Sequence, residues 1–341
     1  MKRCENAINP RMARTVRLAL LFIASLIAGK SVSAQSDGCL RRAIPVNVLT
    51  AQGQMVTGLT PMNFKASLDR KPVKFISVAP DQSPQRAVIA IDASASMTED
   101  RAAWQYSLEV AREFVAGLPA TTEAGLAIFS TRVLMLIPPS TDRRKLNDEL
   151  VRLEAEKQPA PKKEGKTALW DSLSDVAFHS ILLQDDDLLY VFTDGDDTVS
   201  KMEFKTFRST LSEKQIRLFA FTAEAQVAAG VGPQTGAFVI PTNGLQNLQD
   251  LADSTGGYAL HVSRDPLVGN FPVRADKSGQ PTAQGKLLLS QFQQAYSFNR
   301  VQVELPEPIK KQQEWYLNTR GLTGHNLAVV YPRRLASCAA P

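Results

Sequence analysis

The chain has 341 residues, 44% of them hydrophobic and 21% charged, with a formal net charge of +5. The positive excess is confined to the first 34 residues, where Lys2, Arg3, Arg11, Arg14, Arg17 and Lys30 face only Glu5 and beyond which basic and acidic residues are equal in number. Charge therefore gives no support to a nucleic-acid partner, and the ordinary composition excludes a disordered or low-complexity chain.

The leading segment reads as a secretory signal. A basic region runs to Arg17, an apolar stretch follows over 18–29, and Ser31, Val32, Ser33 and Ala34 supply small residues for cleavage before Gln35. The apolar stretch is shorter than the roughly 20 residues that span a bilayer, so membrane attachment is expected only if the segment stays uncleaved. Cys4 falls inside it. Cys39 and Cys338 then stand at opposite ends of the mature chain, and in an exported protein two such cysteines either pair or remain free thiols.

Residues 35–85 read as strands and turns. Ile44, Val46 and Val48 alternate, as do Phe64, Ala66 and Leu68, and a turn at 69–72 leads into 73–78. This is too little chain for an independent β-domain. From Arg86 the rhythm changes. A short apolar run over 87–91 reads as a buried strand. Residues 101–118 form an amphipathic helix with Trp104, Leu108, Ala111, Phe114 and Val115 on one face, capped by Thr98 or Asp100. Strands are expected at 124–129, 188–193, 216–222 and 258–262, with 133–137 as an antiparallel neighbour of the first. Helices are expected at 143–153, 168–183, 201–214 and 245–254, and a loop at 154–166. This alternation predicts an α/β fold, a doubly wound, mostly parallel sheet with helices on both faces.

Residues 266–285 are rich in Pro, Gly and polar groups and read as a linker, with a helix at 287–296. Val301, Val303, Leu305 and the run 327–331 return to a strand pattern. The simplest assembly pairs these strands with those of 44–78 in one small sandwich. The expected organisation is a signal peptide over 1–34, an N-terminal β segment over 35–85, an α/β domain over 86–265, and a linker with a C-terminal β segment over 266–341.

The chemistry gathers at three points. Asp92, Ser94 and Ser96 follow the buried strand at 87–91, so one carboxylate and two hydroxyls lie just past its carboxyl end, where ligands bind in open α/β sheets. Asp194 ends the strand at 188–193, and Gly195 lets the chain turn away from it. Thr167 lies at or near the N-cap of the helix that begins at 168. A hard cation such as Mg2+ takes about six oxygens and keeps waters among them, and these five residues supply oxygen donors at one edge. Capping alone would account for one oxygen and not for five.

This ordered set resembles the metal-ion-dependent adhesion site of von Willebrand factor type A domains, with all five positions matched, and the resemblance covers about 86–265. It implies Mg2+ or Mn2+ held by the hydroxyls of Ser94, Ser96 and Thr167, with Asp92 and Asp194 acting directly or through water. Neutral hydroxyls leave the ion much of its charge, so an acidic side chain of a protein ligand completes the coordination. The lead-in Val56-Thr57-Gly58-Leu59-Thr60, Phe64 and Asp69-Arg70-Lys71-Pro72 resembles a bacterial, acidobacterial-type secreted subfamily, with Asn63 and Arg70 departing from its pattern. The expected function is metal-dependent protein recognition or adhesion by a secreted, periplasmic or envelope protein. An assembly subunit of a cell-envelope complex is the alternative, and a metal-assisted hydrolase a remoter one.

Rival chemistries lack their residues. His179, His261 and His325 are scattered and form no metalloprotease pattern; no nucleophile elbow occurs, and no enzyme activity is expected. Gly165-Lys166-Thr167 resembles the end of a phosphate loop, but Ala160 stands where its first glycine belongs, and no Gly-x-Gly-x-x-Gly follows the first α/β strand, so no nucleotide is expected. Lys162, Lys163 and Lys166 read as a solvated loop, and Asp185, Asp186 and Asp187 as a solvated cluster at the opposite sheet edge. Asp196 and Asp197 read equally well as support for the site or as exposed loop.

Overall fold

The computed structural model describes residues 39–50, 53–81, 85–99, 101–156, 166–223, 243–262, 297–322 and 327–338. The signal segment, the linker at 266–285, the helix at 287–296, Asp100, Lys162, Lys163 and His325 lie outside them.

The first sheet has six strands in the order β6-β5-β4-β7-β8-β9: β4 (Arg86–Asp92), β5 (Glu123–Phe129), β6 (Val133–Ser140), β7 (Leu188–Thr193), β8 (Arg217–Ala223) and β9 (Ala259–Val262). All pairs are parallel except β5 with β6, the expected antiparallel neighbour. The connections require helices on both faces. These are α1 (Ala95–Glu99), α2 (Arg101–Gly117), α3 (Arg144–Ala155), α4 (Leu169–Ser174), α5 (Phe204–Glu213) and α6 (Asn243–Thr255). Strand β4 is buried on both sides, which is why its sequence is apolar without alternation. Ile89 and Ile91 pack with Trp104, Leu108 and Phe114 of α2 and Leu150 of α3. Val88 and Ala90 pack with Leu173 of α4, Leu211 of α5 and Leu251 of α6.

The chain leaves β4 toward β5 and leaves β7 toward β8, so the topological switch lies between the neighbouring strands β4 and β7. Asp92 and Asp194 stand at its carboxyl-end crevice, where such sheets bind ligands.

The second sheet has seven strands in the order β12-β1-β10-β3-β2-β11-β13. They are β1 (Arg41–Leu49), β2 (Phe64–Leu68), β3 (Lys71–Asp81), β10 (Phe298–Glu304), β11 (Gln313–Thr319), β12 (Ala328–Val330) and β13 (Arg334–Leu335). The expected partnership of N- and C-terminal strands holds, but not as a sandwich. One antiparallel sheet curls until β12 meets β11, and the Leu317 N–H donates to the Tyr331 hydroxyl at 3.1 Å. The curl buries Val46, Val48, Phe64, Leu68, Val301 and Trp315 on one concave face, which a second sheet would otherwise have to cover. Cys39 and Cys338 form a disulfide, with Cα atoms 5.6 Å apart.

Three local readings change. The expected helix at 168–183 is α4 followed by a π-helical turn, Asp175–Ser180, where the Ile181 N–H reaches back five residues to the Val176 carbonyl at 3.1 Å. Thr98 does not cap α2; it sits inside α1, its hydroxyl donating to the Ser94 carbonyl at 2.9 Å. The acidic run at 185–187 is not a solvated cluster. Asp187 is buried against the Arg86 guanidinium, and Asp186 accepts from Arg300 Nη1 of β10 at 2.6 Å, so the run joins the two sheets. Asp185 accepts from Gln215 Nε2 at 3.0 Å. No helix among the described residues is long and apolar enough to cross a membrane.

Candidate metal centre

The first loop leaves β4 at Asp92, whose carboxylate is wholly buried. Its Oδ1 accepts the Ser94 N–H at 2.8 Å, an Asx turn that bends the chain back on itself. Its Oδ2 accepts the Thr193 hydroxyl at 2.7 Å, which pins it to the end of β7. The loop is further fixed to β5 by the Ala93 N–H, donated to the Phe129 carbonyl at 2.7 Å. Ser94 is buried and Ser96 exposed, with their hydroxyl oxygens 3.2 Å apart. The Ser94 carbonyl accepts the Thr98 N–H at 3.0 Å and so opens α1.

The second loop carries Thr167, which is buried. Ser130, the residue just after β5, holds this loop from behind: the Ala168 N–H donates to the Ser130 carbonyl at 3.0 Å, and the Ser130 hydroxyl to the Lys166 carbonyl at 3.2 Å. The N-cap of α4 is Ala168, one residue past the expected position, and its side chain caps nothing. The third loop supplies the cap instead. Asp197 Oδ1 accepts the Leu169 N–H at 2.8 Å, and the Ser200 hydroxyl accepts those of Trp170 and Asp171 at 3.0 and 3.2 Å. The Thr167 hydroxyl is thus not spent on the helix.

The third loop begins at Asp194, also buried. Its Oδ1 accepts the Asp196 N–H at 3.0 Å, and Gly195 turns the chain at a φ of 89°, a conformation that favours glycine. Loops two and three are tied through Thr167 and Thr198: the Thr167 N–H donates to the Thr198 hydroxyl at 2.8 Å, and the Thr167 carbonyl accepts the N–H groups of Thr198 and Val199 at 2.9 and 3.1 Å.

Burial, then the neighbouring Asp194, pushes the Asp92 carboxyl up to about 7, against the lowering effect of its bonds from Thr193 and Ser94. Asp196 is raised by burial and then by Asp194. Carboxylates drawn out of water within reach of one another are costly alone and suit a cation between them. The donor set of two carboxylates and three hydroxyls is all oxygen and fits a hard divalent ion. Among the described residues no group of three or more His, Cys, Asp or Glu side chains is placed to hold a metal; the hydroxyls are what completes this set.

The three loops therefore bring Asp92, Ser94, Ser96, Thr167 and Asp194 to one sheet edge. Sequence reasoning did not name Thr193, Thr198, Ser200 or Ser130, the residues that hold the loops in register. Their signal is weak, because hydroxyl residues in loops are common. Of the pair left open, Asp197 supports the site, while Asp196 bonds only through its backbone. His179 is exposed, away from these loops on the π-helical turn, and His261 stands on β9 opposite Thr222.

Solved structures that resemble the chain include the following three. The conserved hypothetical protein BatB from Bacteroides thetaiotaomicron is 17% identical over 62% of this chain and 98% of its own, with a TM-score of 0.40. An aerotolerance-related membrane protein from Bacteroides fragilis is 16% identical over 61% of this chain and 98% of its own, with a TM-score of 0.38. A von Willebrand factor type A protein from Catenulispora acidiphila is 12% identical over 86% of this chain and 73% of its own, with a TM-score of 0.40. No curated protein matches the chain. Residues 87–196, from β4 to the loop that carries Asp194, match the family model of the von Willebrand factor type A domain.

Proposed function

We propose that this chain is an exported module that binds Mg2+ or Mn2+ through Asp92, Ser94, Ser96, Thr167 and Asp194, and recognises a protein ligand through an exposed acidic residue. The observation that carries the reading is the buried pair Asp92 and Asp194 at the switch between β4 and β7, with the Ser94 and Ser96 hydroxyls 3.2 Å apart beside them. When bound, the ion would supply a positive centre with open coordination for a ligand carboxylate. The protein's own part is positional. Thr193 fixes one oxygen of Asp92, the Ser94 N–H fixes the other, and Asp197 with Thr198 holds the Thr167 loop against the Asp194 loop. The match of residues 87–196 to the type A domain supports the metal site. Export is supported by the signal pattern over 1–34, by the secreted subfamily resemblance, and by the Cys39–Cys338 disulfide, which suits an oxidising compartment.

The test compares Mg2+-induced thermal shifts of the mature protein and of Asp92→Ala. A saturable stabilisation that the variant loses is expected. Equal shifts, or none in the unaltered protein, would sink the metal reading. Retrieval of partners from an envelope extract with and without EDTA tests the recognition reading, and capture indifferent to EDTA would reject it.

A further inference from the structure

The rim of the metal centre carries opposite charges on its two sides. The strands there run in the order β5-β4-β7, and Asp92 and Asp194 leave β4 and β7 at the switch. Beyond β4 lies the turn from β5 to β6, which holds Arg132. Phe129, the last residue of β5, stands opposite Asp92 in the register, so this turn shares the sheet edge of the first loop, one strand spacing of about 4.8 Å away. Ser130 brings Lys166 to the same place. Its N–H donates to the Arg132 carbonyl at 3.0 Å, and its hydroxyl to the Lys166 carbonyl at 3.2 Å. Both cations are exposed, and neither side chain is held by a hydrogen bond or an ion pair among the described residues. On the β7 side the third loop presents the other sign. Asp196 is exposed beside Asp194 and bonds only through its backbone, and Asp197 adds a further carboxylate. Lys201, the cation of that loop, stands beyond Ser200, where its N–H is tied to Asp171 at 2.9 Å.

The carboxylates of Asp92 and Asp194 formally cancel a divalent ion, so the rim sets the field that a ligand meets beyond its first carboxylate. That field attracts an anion over β5 and repels it over β7. We infer that Arg132 and Lys166 form a cationic subsite for a second acidic side chain of the protein ligand, on the β5 side of the residue that meets the ion. The inference rests on the metal-dependent recognition proposed above and adds the chemistry of the partner: an acidic segment, not a lone acidic residue. Side chains on one face of an extended segment recur at about 6.8 Å, so the second acid stands close in sequence to the first.

The experiment uses the intact, disulfide-bonded mature chain. Short blocked peptides of Gly and Ser carry a central Asp, alone or with a Glu two positions before or after it. They are titrated by ligand-detected NMR at low ionic strength, in Mg2+ and in EDTA. One or both of the two-acid peptides is expected to bind about two- to fivefold tighter than the single-acid peptide in Mg2+, and the gain should fade as salt is raised. It should vanish in the double variant Arg132→Gln, Lys166→Gln. It should persist in Lys145→Gln, which removes an exposed cation near the start of α3, at the opposite sheet edge. No gain from the second acid would overturn the inference, as would a gain that survives the double variant or is lost equally in Lys145→Gln. These outcomes leave metal-dependent recognition standing if the single-acid peptide binds in Mg2+ and is released by EDTA. Binding of no acidic peptide, or binding indifferent to EDTA, defeats that reading and this inference together.

Discussion

Gly244, the second residue of α6, lies directly against the backbone of Gly195: a Cβ at position 244 would stand 2.1 Å from the Gly195 carbonyl oxygen. Helix α6 is thus packed backbone to backbone on the loop that carries Asp194, and neither partner is a flexible side chain that could yield. Gly244→Ala is expected to destabilise the fold by about 1–3 kcal/mol through overpacking and to shrink the Mg2+-induced thermal shift by displacing Asp194. Urea unfolding and the thermal shift measure the two effects separately. A variant with unaltered stability and unaltered shift would show that the contact is immaterial.

Asp197 joins the second and third loops without belonging to the proposed ligand set. Its Oδ1 accepts the Leu169 N–H at 2.8 Å and the Ser200 hydroxyl at 2.6 Å. Asp197→Ala removes the acceptor of the Leu169 N–H from the cap of α4, at about 1 kcal/mol, and frees the segment next to Thr167. The expected outcome is a modest fall in melting temperature with a weaker response to Mg2+. Asp197→Asn, which keeps a carbonyl acceptor in place, should restore most of both. If neither variant alters the response, Asp197 serves the helix alone.

Much of this was legible in the sequence, for reasons that differ by residue. Strand β4 announces itself because a strand buried on both faces must be apolar throughout, and Asp92 is then the first residue free to carry a charge at its end. Gly195 and Asp194 follow the same logic at β7. The curled sheet was legible only in its parts, since alternation in Ile44, Val46 and Val48 fixes which residues face inward but not whether one sheet curls or two stack. Asp186 misled because its neighbours are acidic and the local pattern is polar. What buries it is Arg300, 114 positions away, and no local periodicity reports a partner at that distance. Nor could the cap of α4 be read locally, because its acceptors come from a different loop.

Arg300 is the hinge pin of the two sheets. Its Nε donates to Asp81 of β3 at 2.8 Å, its Nη1 to Asp186 at 2.6 Å, and its guanidinium lies 5.0 Å from the Phe298 ring centroid. The other side of the seam is Arg217, wholly buried and 4.8 Å from the same ring. Arg300→Met takes the guanidinium away from Asp81 and Asp186, and Asp186 is already raised by burial that Arg300 partly offsets. A loss of about 3 kcal/mol is expected, read by chemical denaturation at neutral pH. The deficit should shrink in acid, where the Asp186 carboxyl, deprived of Arg300, takes up a proton. A deficit that does not change with pH would mean that lost packing on Phe298 accounts for it.

The disulfide closes a loop of 299 positions between Cys39 and Cys338, yet the segment before Cys338 is also held without it. The Trp315 indole N–H donates to the Pro332 carbonyl at 2.6 Å. The Arg333 N–H donates to the Asp253 carbonyl at 3.0 Å, and the Cys338 N–H to the Ile309 carbonyl at 2.8 Å. Arg333 is further paired with Asp253 at the end of α6. The double variant Cys39→Ser, Cys338→Ser should therefore keep the native fold and lose stability by releasing the unfolded chain, by about 2–4 kcal/mol. The expected record is a lower denaturation midpoint with native tryptophan fluorescence unchanged, because Trp315 stays clamped by Pro332 and Arg333. An altered native spectrum would show instead that the disulfide, and not this clamp, seats the C-terminal strands on the α/β sheet.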